Sequence, residues 1–355
     1  MNNIKYLVII LTSFIVLSTS SVYAQNDEKQ VDVKEILFSH VEDSYGWHIT
    51  TIGEKEITIH LPVILYNKEK GWSFFSSKKL QENKGGYNDY YIAENGLYSG
   101  KIVVKNKAGE EVRPLDLSIT KVTLALFINS ALLLIIILGV ARWYKKNDTI
   151  KKAPKGFVGF MEAFIMMIND EIIKPCVGSN YKKFSPYLLT AFFFIFLNNI
   201  MGLIPIFPGG VTVTGNIAVT LFLALATFFV TNVFGSKDYW KDVFWPDVPV
   251  WLKVPIPIMP IIELFGVLTK PVALMIRLFA NLLAGHMVMI ILTCLIFITA
   301  SFGPAIYGPM TVTSVIFNMF MTVLEILVAF IQAYVFTMLS AVFIGLAQPK
   351  EKVVE

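Results

Sequence analysis

Hydrophobic and polar positions along this chain follow two patterns, and they change over near residue 118. Before that point apolar and polar residues alternate over short runs, as in Ile57-Thr58-Ile59-His60-Leu61 and Lys101-Ile102-Val103-Val104. That period belongs to half-buried strands, and Glu94-Asn95-Gly96 and Lys107-Ala108-Gly109 read as turns between them. Beyond it, apolar residues run on without alternation for stretches of about 20, the length a bilayer requires of a helix. Spans are expected over about 122–140, 186–204 and 213–234. A hairpin of two longer arms follows, 258–299 and 310–346, with a turn carrying Gly303, Pro304, Gly308 and Pro309. Each arm is roughly 55 to 65 Å long against a hydrocarbon core near 30 Å, which demands tilt or breaks. Between the first two spans, Glu162, Asn169 and Asp170 interrupt the apolar stretch Gly156–Ile173, giving an amphipathic helix on the membrane surface. The expected fold is an all-α polytopic membrane protein of about five spans plus this interfacial helix, ending in a long tilted hairpin. A small β-rich extracytoplasmic domain precedes it.

Charge sets the topology. Arg142, Lys145, Lys146, Lys151, Lys152 and Lys155 follow the first span at once, which assigns that side to the cytoplasm. The loop with Pro205, Pro208, Gly209 and Gly210 carries no Lys or Arg and belongs outside, whereas Lys237, Lys241 and Lys253 return the chain inside. At the N-terminus Lys5, an apolar core from Tyr6 to Leu17 and the ending Val22-Tyr23-Ala24 read as a secretory signal cleaved after Ala24. An uncleaved first helix is the alternative, and both put the next segment outside. The expected domains are a signal peptide over 1–24, an extracytoplasmic domain over 25–118, a membrane domain over 119–349 and a cytoplasmic tail over 350–355. His40, His48 and His60 lie in the extracytoplasmic part at spacings that fit no metal motif.

Composition narrows the class. At 55% hydrophobic and 16% charged residues the chain is too apolar for a soluble domain, and its net charge of +4 sits beside apolar runs rather than in a nucleic-acid-binding stripe. Its two cysteines, Cys176 and Cys294, form no disulfide framework and no metal-ligand spacing. No cofactor and no nucleic acid is expected as a partner; the bilayer and protons are.

The candidate chemistry lies in the hairpin. Between Pro271 and Pro349 there are two formal charges, Arg277 and Glu325, and one histidine, His286. Ionisable groups at membrane depth cost roughly 2.5 to 3.5 kcal/mol each, so they mark ion or proton pathways. With the hairpin centred on Ile306, His286 lies twenty residues before the centre and Glu325 nineteen after, at nearly equal depth. Arg277 and Gln332 share a second level, roughly 10 to 14 Å nearer the cytoplasm. Asn281 falls on the face of Arg277, His286 on the opposite face, and Glu263 near the arginine's face but fourteen residues further inward. A guanidinium keeps its proton, so Arg277 is a fixed charge, while His286 and Glu325 can exchange protons. The chain offers no second acid beside Arg277, so its partner should come from another subunit.

The run Lys270-Pro271-Val272-Ala273-Leu274-Met275-Ile276-Arg277-Leu278-Phe279-Ala280-Asn281-Leu282-Leu283-Ala284-Gly285-His286 resembles the signature of subunit a of F-type ATP synthases. Ile331-Gln332-Ala333-Tyr334-Val335-Phe336 resembles that family's final-helix motif, and Asn198-Asn199-Ile200-Met201-Gly202-Leu203-Ile204-Pro205 and Gly215-Asn216-Ile217-Ala218-Val219-Thr220-Leu221 its middle helices. The likeness covers about residues 120 to 347. It implies a stator subunit of a bacterial inner membrane, with its N-terminal domain periplasmic, that holds two offset half-channels against a ring of c subunits. The b subunit and the rest of the complex are further implied partners. Arg277 matches the arginine facing the ring carboxylate, Asn281 and Gln332 the polar residues beside it, and Glu263 an acid of the cytoplasmic-side channel. His286 and Glu325 match the outer half-channel pair, in the order of mitochondrial relatives; many bacterial members exchange the two. Gly202 stands where some members carry an acid. ATP chemistry would then reside on other subunits, in keeping with the lack of a Walker-type loop in the sequence. The competing reading is a self-contained ion-coupled secondary transporter, but paired repeats of that kind are not visible in the sequence.

Overall fold

The computed structural model describes residues 43–349, except 53–54, 69–70, 83–85, 94–95, 97, 106–109, 148–152, 246–257 and 301–303. The expected signal peptide, the first part of the expected extracytoplasmic domain and the expected tail over 350–355 lie outside the described residues.

Among the described residues the N-terminal part holds eight short strands and one helical turn. Strands β1 (Gly46–Ile52) and β2 (Lys55–His60) pair with each other. β3 (Pro62–Asn67) sits between β4 (Gly71–Ser76) and β8 (Leu115–Asp116), with α1 (Lys78–Glu82) after β4. β6 (Ile102–Lys105) sits between β5 (Tyr90–Ile92) and β7 (Glu111–Val112), and every pairing is antiparallel. Alternation decides what is inside: Val63 and Leu65 of β3 are buried with Phe75, Tyr90, Ile102 and Val104, while Ile64 and Tyr66 face away.

The strands end at Asp116, and four residues later Thr120 caps α2 (Lys121–Lys146) by accepting from the Thr123 amide. The 26 residues of α2 measure about 39 Å, enough to cross with a few ångströms to spare at each end. Next come α3 (Phe157–Ile168), a π turn (Asn169–Ile173) and the short α4 (Lys174–Val177). The stretch expected to be amphipathic is therefore divided: α3 turns Phe157, Phe160 and Met166 outward, and the charges gather at the π turn, where Lys174 and Asp170 pair at 2.6 Å. Phe164 of α3 packs against Phe192, Phe193 and Phe196 of α5 (Tyr181–Leu203), which ties the segment into the bundle as well as to the surface.

The outer loop of the expected topology and a 3₁₀ turn (Val213–Gly215) lead to α6 (Ile217–Val233), capped by Asn216, and the chain then bends by 103° into α7 (Lys237–Phe244). Among the described residues four helical stretches are long and apolar enough to cross a membrane, and α6 makes a fifth when joined to α7. The hairpin consists of α8 (Ile258–Ala300) and α9 (Pro304–Ala347), each about 65 Å long. The turn is shorter than its Gly and Pro content suggests. Pro304 opens α9, where its missing N–H would have had no partner, and Gly308 and Pro309 lie inside the helix. Gly303 of the expected turn lies outside the described residues. The register is nonetheless close to symmetric about Ile306, because Asn318 donates to Thr293 (2.8 Å) and Thr322 lies on Met289.

The end of α9 is seated on α4 through a glycine. A Cβ on Gly345 would overlap the backbone carbonyl of Cys176, which cannot swing aside, whereas one on Gly266 would meet nothing within 4 Å. Gly345→Ala should therefore lower stability by about 1 to 3 kcal/mol through overpacking, and Gly266→Ala should be neutral or slightly stabilising. Thermal melting of the detergent-solubilised complex reads the difference.

Candidate functional site

Three elements converge on Glu325: α5, the outer loop with its 3₁₀ turn, and α8. The side chain is 5% exposed and lies against Gly285 so closely that a Cβ there would overlap its carboxylate. His286, one residue on, lines the same small cavity, together with Asn198, Asn199, Gly202 and Thr214. The absence of a side chain at residue 285 is what admits the carboxylate between the helices. Gly202 is less constrained, since a Cβ there would meet Thr212 only at ordinary van der Waals distance, 3.4 Å.

Buried amides hold this cavity's walls. Thr214 donates to Asn199 Oδ1 (2.6 Å), and Asn199 donates to the Ala329 carbonyl (3.4 Å), one turn of α9 beyond Glu325. Asn198 accepts from Asn129 of α2 (2.9 Å) and donates to the Phe194 carbonyl (2.8 Å). Each amide is at most 2% exposed. In hydrocarbon such groups need partners within the protein, and these bonds lock α2, α5, α9 and the outer loop together. In the sequence Asn198 and Asn199 stand inside a motif, whereas Asn129 and Thr214 are marked only as isolated polar residues within apolar runs.

A second cleft opens on the other side of the bundle, lined by Thr227, Thr231 and Asn232 of α6, Tyr239 of α7 and Lys270 of α8. Burial, and after it the charge of Glu263, push the Tyr239 phenol above its usual range. Glu263 lies near Tyr239, one turn of α8 before the lining residue Val267, and stands well apart from His286 and Glu325. Leu274 lines this second cleft and Leu282 the first, and Leu278 between them is buried. The two clefts reach α8 about 12 Å apart along its axis, with a dry segment between.

Arg277 lies at the level of that dry segment but on the outside. It is exposed, on a face shared with Ile276, Ala280, Ala284 and Val288. Among the described residues no hydrogen bond or ion pair engages it. Gln332 is buried and Asn281 half-buried, and neither bonds to the arginine. The structure thus brings His286 and Glu325 together and leaves Arg277 on an apolar outer face.

A family profile described as ATP synthase A chain matches residues 125–345. The chain is also 42% identical to ATP synthase subunit a of Chlorobium phaeobacteroides over 281 residues, covering 77% of this chain and 78% of that protein. The chain belongs to the ATP synthase subunit a family. It is 45% identical to subunit a of Pelodictyon phaeoclathratiforme over 280 residues (76% of this chain, 78% of the relative), and 41% identical to that of Myxococcus xanthus over 240 residues (66% and 74%). As a subunit a it is a multi-pass membrane component of an F-type ATP synthase. The β-rich region falls outside the subunit a profile; a second profile, for a domain of unknown function, matches residues 36–117.

The fit of the subunit a cavity around residue 285 can be tested directly. In Gly285→Ala the methyl group should displace the flexible Glu325 carboxylate without unfolding the bundle, lowering ATP-driven proton pumping in vesicles at least tenfold while the complex assembles. Adding Glu325→Asp, one methylene shorter, should recover part of the loss.

Proposed function

We propose that this subunit conducts protons through two offset half-channels and that Arg277 separates them, so that proton flow turns a ring of c subunits and drives ATP synthesis. The observation carrying the reading is the pair of clefts that approach α8 on either side of Leu278, with an exposed arginine at the level between them. A proton entering on the side of the β-rich region would be handed along by Glu325 and His286 to a carboxylate on the ring. After the ring turns, it would leave through the cleft lined by Asn232 and Tyr239, near Glu263. The intervening step cannot be a direct hop within this chain, because Leu278 offers no proton acceptor.

Arg277 supplies the electrostatics. A cation about 4 Å from a carboxylate favours ionisation by roughly 4 kcal/mol at an effective dielectric of 20, so a ring carboxylate arriving opposite Arg277 gives up its proton. The same charge repels a hydronium that would short-circuit the two clefts. Asn281 and Gln332 flank it as polar support. Each proton crossing 100 mV releases roughly 2.3 kcal/mol, and this geometry can spend that only through rotation. The b subunit completes the stator in this reading. Positive residues after α2 put the β-rich region outside the cytoplasm and the C-terminus inside, in a bacterial inner membrane.

Proton flux should require the ring: the purified chain in vesicles should conduct negligibly, and flux from the chain alone would favour a self-contained transporter. Arg277→Ala should abolish coupled ATP synthesis, by at least a hundredfold, in a complex that still assembles. Exchanging His286 and Glu325 together should retain more proton pumping than either single change, because both orders place one acid and one imidazole in the same cavity.

A further inference from the structure

At the junction of the β-rich region and the membrane domain lies a third cleft, roomier than the two described above. It is amphipathic. Its rim carries Asp43, Lys101, Arg113 and Asp116, and its floor is formed by Leu126 of α2 and Val219 of α6. The acids of the rim are already engaged. Asp116 accepts from the Tyr45 hydroxyl and from the Ser118 amide (2.9 Å), and Asp43 accepts from the Val122 amide (3.2 Å). The cations are not: among the described residues neither Lys101 nor Arg113 forms an ion pair or a side-chain hydrogen bond.

Two helices also begin here. The N-caps Thr120 and Asn216 both line the cleft, so the positive ends of α2 and α6 converge on it. Their first amides are capped by Asp43, Thr120 and Asn216, so the helices contribute field rather than direct bonds. Field and free cations together select an anion, and the apolar floor selects one with a hydrocarbon part. Depth agrees: Leu126 lies six residues below the Thr120 cap, about 9 Å, which spans a headgroup layer and reaches the hydrocarbon.

We infer that this cleft binds a glycerophospholipid of the leaflet on the β-rich side, its phosphate between Lys101 and Arg113 and its acyl chains along Leu126 and Val219. The lipid would then fill the joint between the N-terminal region and helices α2 and α6. This site is separate from the proton path and does not depend on the half-channel reading.

The test is native mass spectrometry of the intact ATP synthase complex after mild detergent delipidation. Wild type should retain one glycerophospholipid per complex more than the Lys101→Gln/Arg113→Gln double variant, in which occupancy should fall at least tenfold. Val219→Trp, which fills the apolar floor and leaves both cations in place, should displace the lipid as well. Equal lipid retention in wild type and the double variant overturns the proposal. Inorganic phosphate distinguishes the other source of the same chemistry: if it binds the delipidated complex in equilibrium dialysis, with loss in the double variant but not in Val219→Trp, the occupant is a free phosphate and the lipid assignment is wrong. ATP hydrolysis by each variant complex checks that assembly is intact.

Discussion

Hydrocarbon cannot solvate a polar group, and the arrangement of this bundle follows from how each such group is answered. Most are answered inside the chain. Asn129 donates to Asn198, Thr214 donates to Asn199, and Asn198 and Asn199 donate to backbone carbonyls, and on a second level Tyr187, Thr227 and Ser340 bond one another across α5, α6 and α9. Each bond joins helices that apolar packing alone would leave free to slide, because lipid tails are as apolar as leucine and give no preference for one helix–helix register. The polar pairs therefore fix the register, and the apolar side chains fill what that register leaves. Arg277 has no hydrogen bond or ion pair among the described residues, and in the proposed mechanism its partner is the rotor.

The same constraint explains why Glu325 can be buried. A carboxylate between three elements needs room, and Gly285 gives it: the helix–helix approach that would exclude a side chain is relieved by removing one. The acid and His286 then share a cavity too small for bulk water but walled by amide and hydroxyl groups. A conductive path of this kind depends on protonatable groups being close and on everything around them being held still. The amide bonds to α5 and α9 give that stiffness.

Much of this was legible in the chain. The spans, the long hairpin and the equal depth of His286 and Glu325 follow from apolar run lengths and from counting outward from the turn, since helical rise converts sequence number into depth. The count worked even though Pro304, Gly308 and Pro309 proved to be helical. Pro304 sits in the first turn, where a missing N–H breaks nothing, and Pro309 is accommodated inside α9, so α9 overshoots α8 and the symmetry point stays near Ile306. What could not be read was pairing across large sequence separations. Asn129 and Asn198 are 69 residues apart, and no local pattern announces their bond. The placement of Phe164 against α5 was hidden for the same reason: amphipathic spacing predicts that a face is buried, not against what.

The β-rich region is mechanically continuous with the cavity, although the two match different family profiles. Trp47 of β1 is buried against Val122 and Ala125 of α2 and against Val211 and Val213 of the outer loop, with its ring 5.0 Å from that of Phe207. Val213 begins the 3₁₀ turn whose next residue, Thr214, bonds Asn199, and Asn199 reaches the turn of α9 that follows Glu325. Every step in that series is a packed or hydrogen-bonded contact between buried groups, so the loop roofing the cavity is gripped from both sides. A loop carrying Pro205, Pro208, Gly209 and Gly210 has little helical or strand hydrogen bonding of its own to hold it. Fixing it from outside through one large aromatic ring costs the entropy of a few side chains, less than ordering the loop with no partner at all.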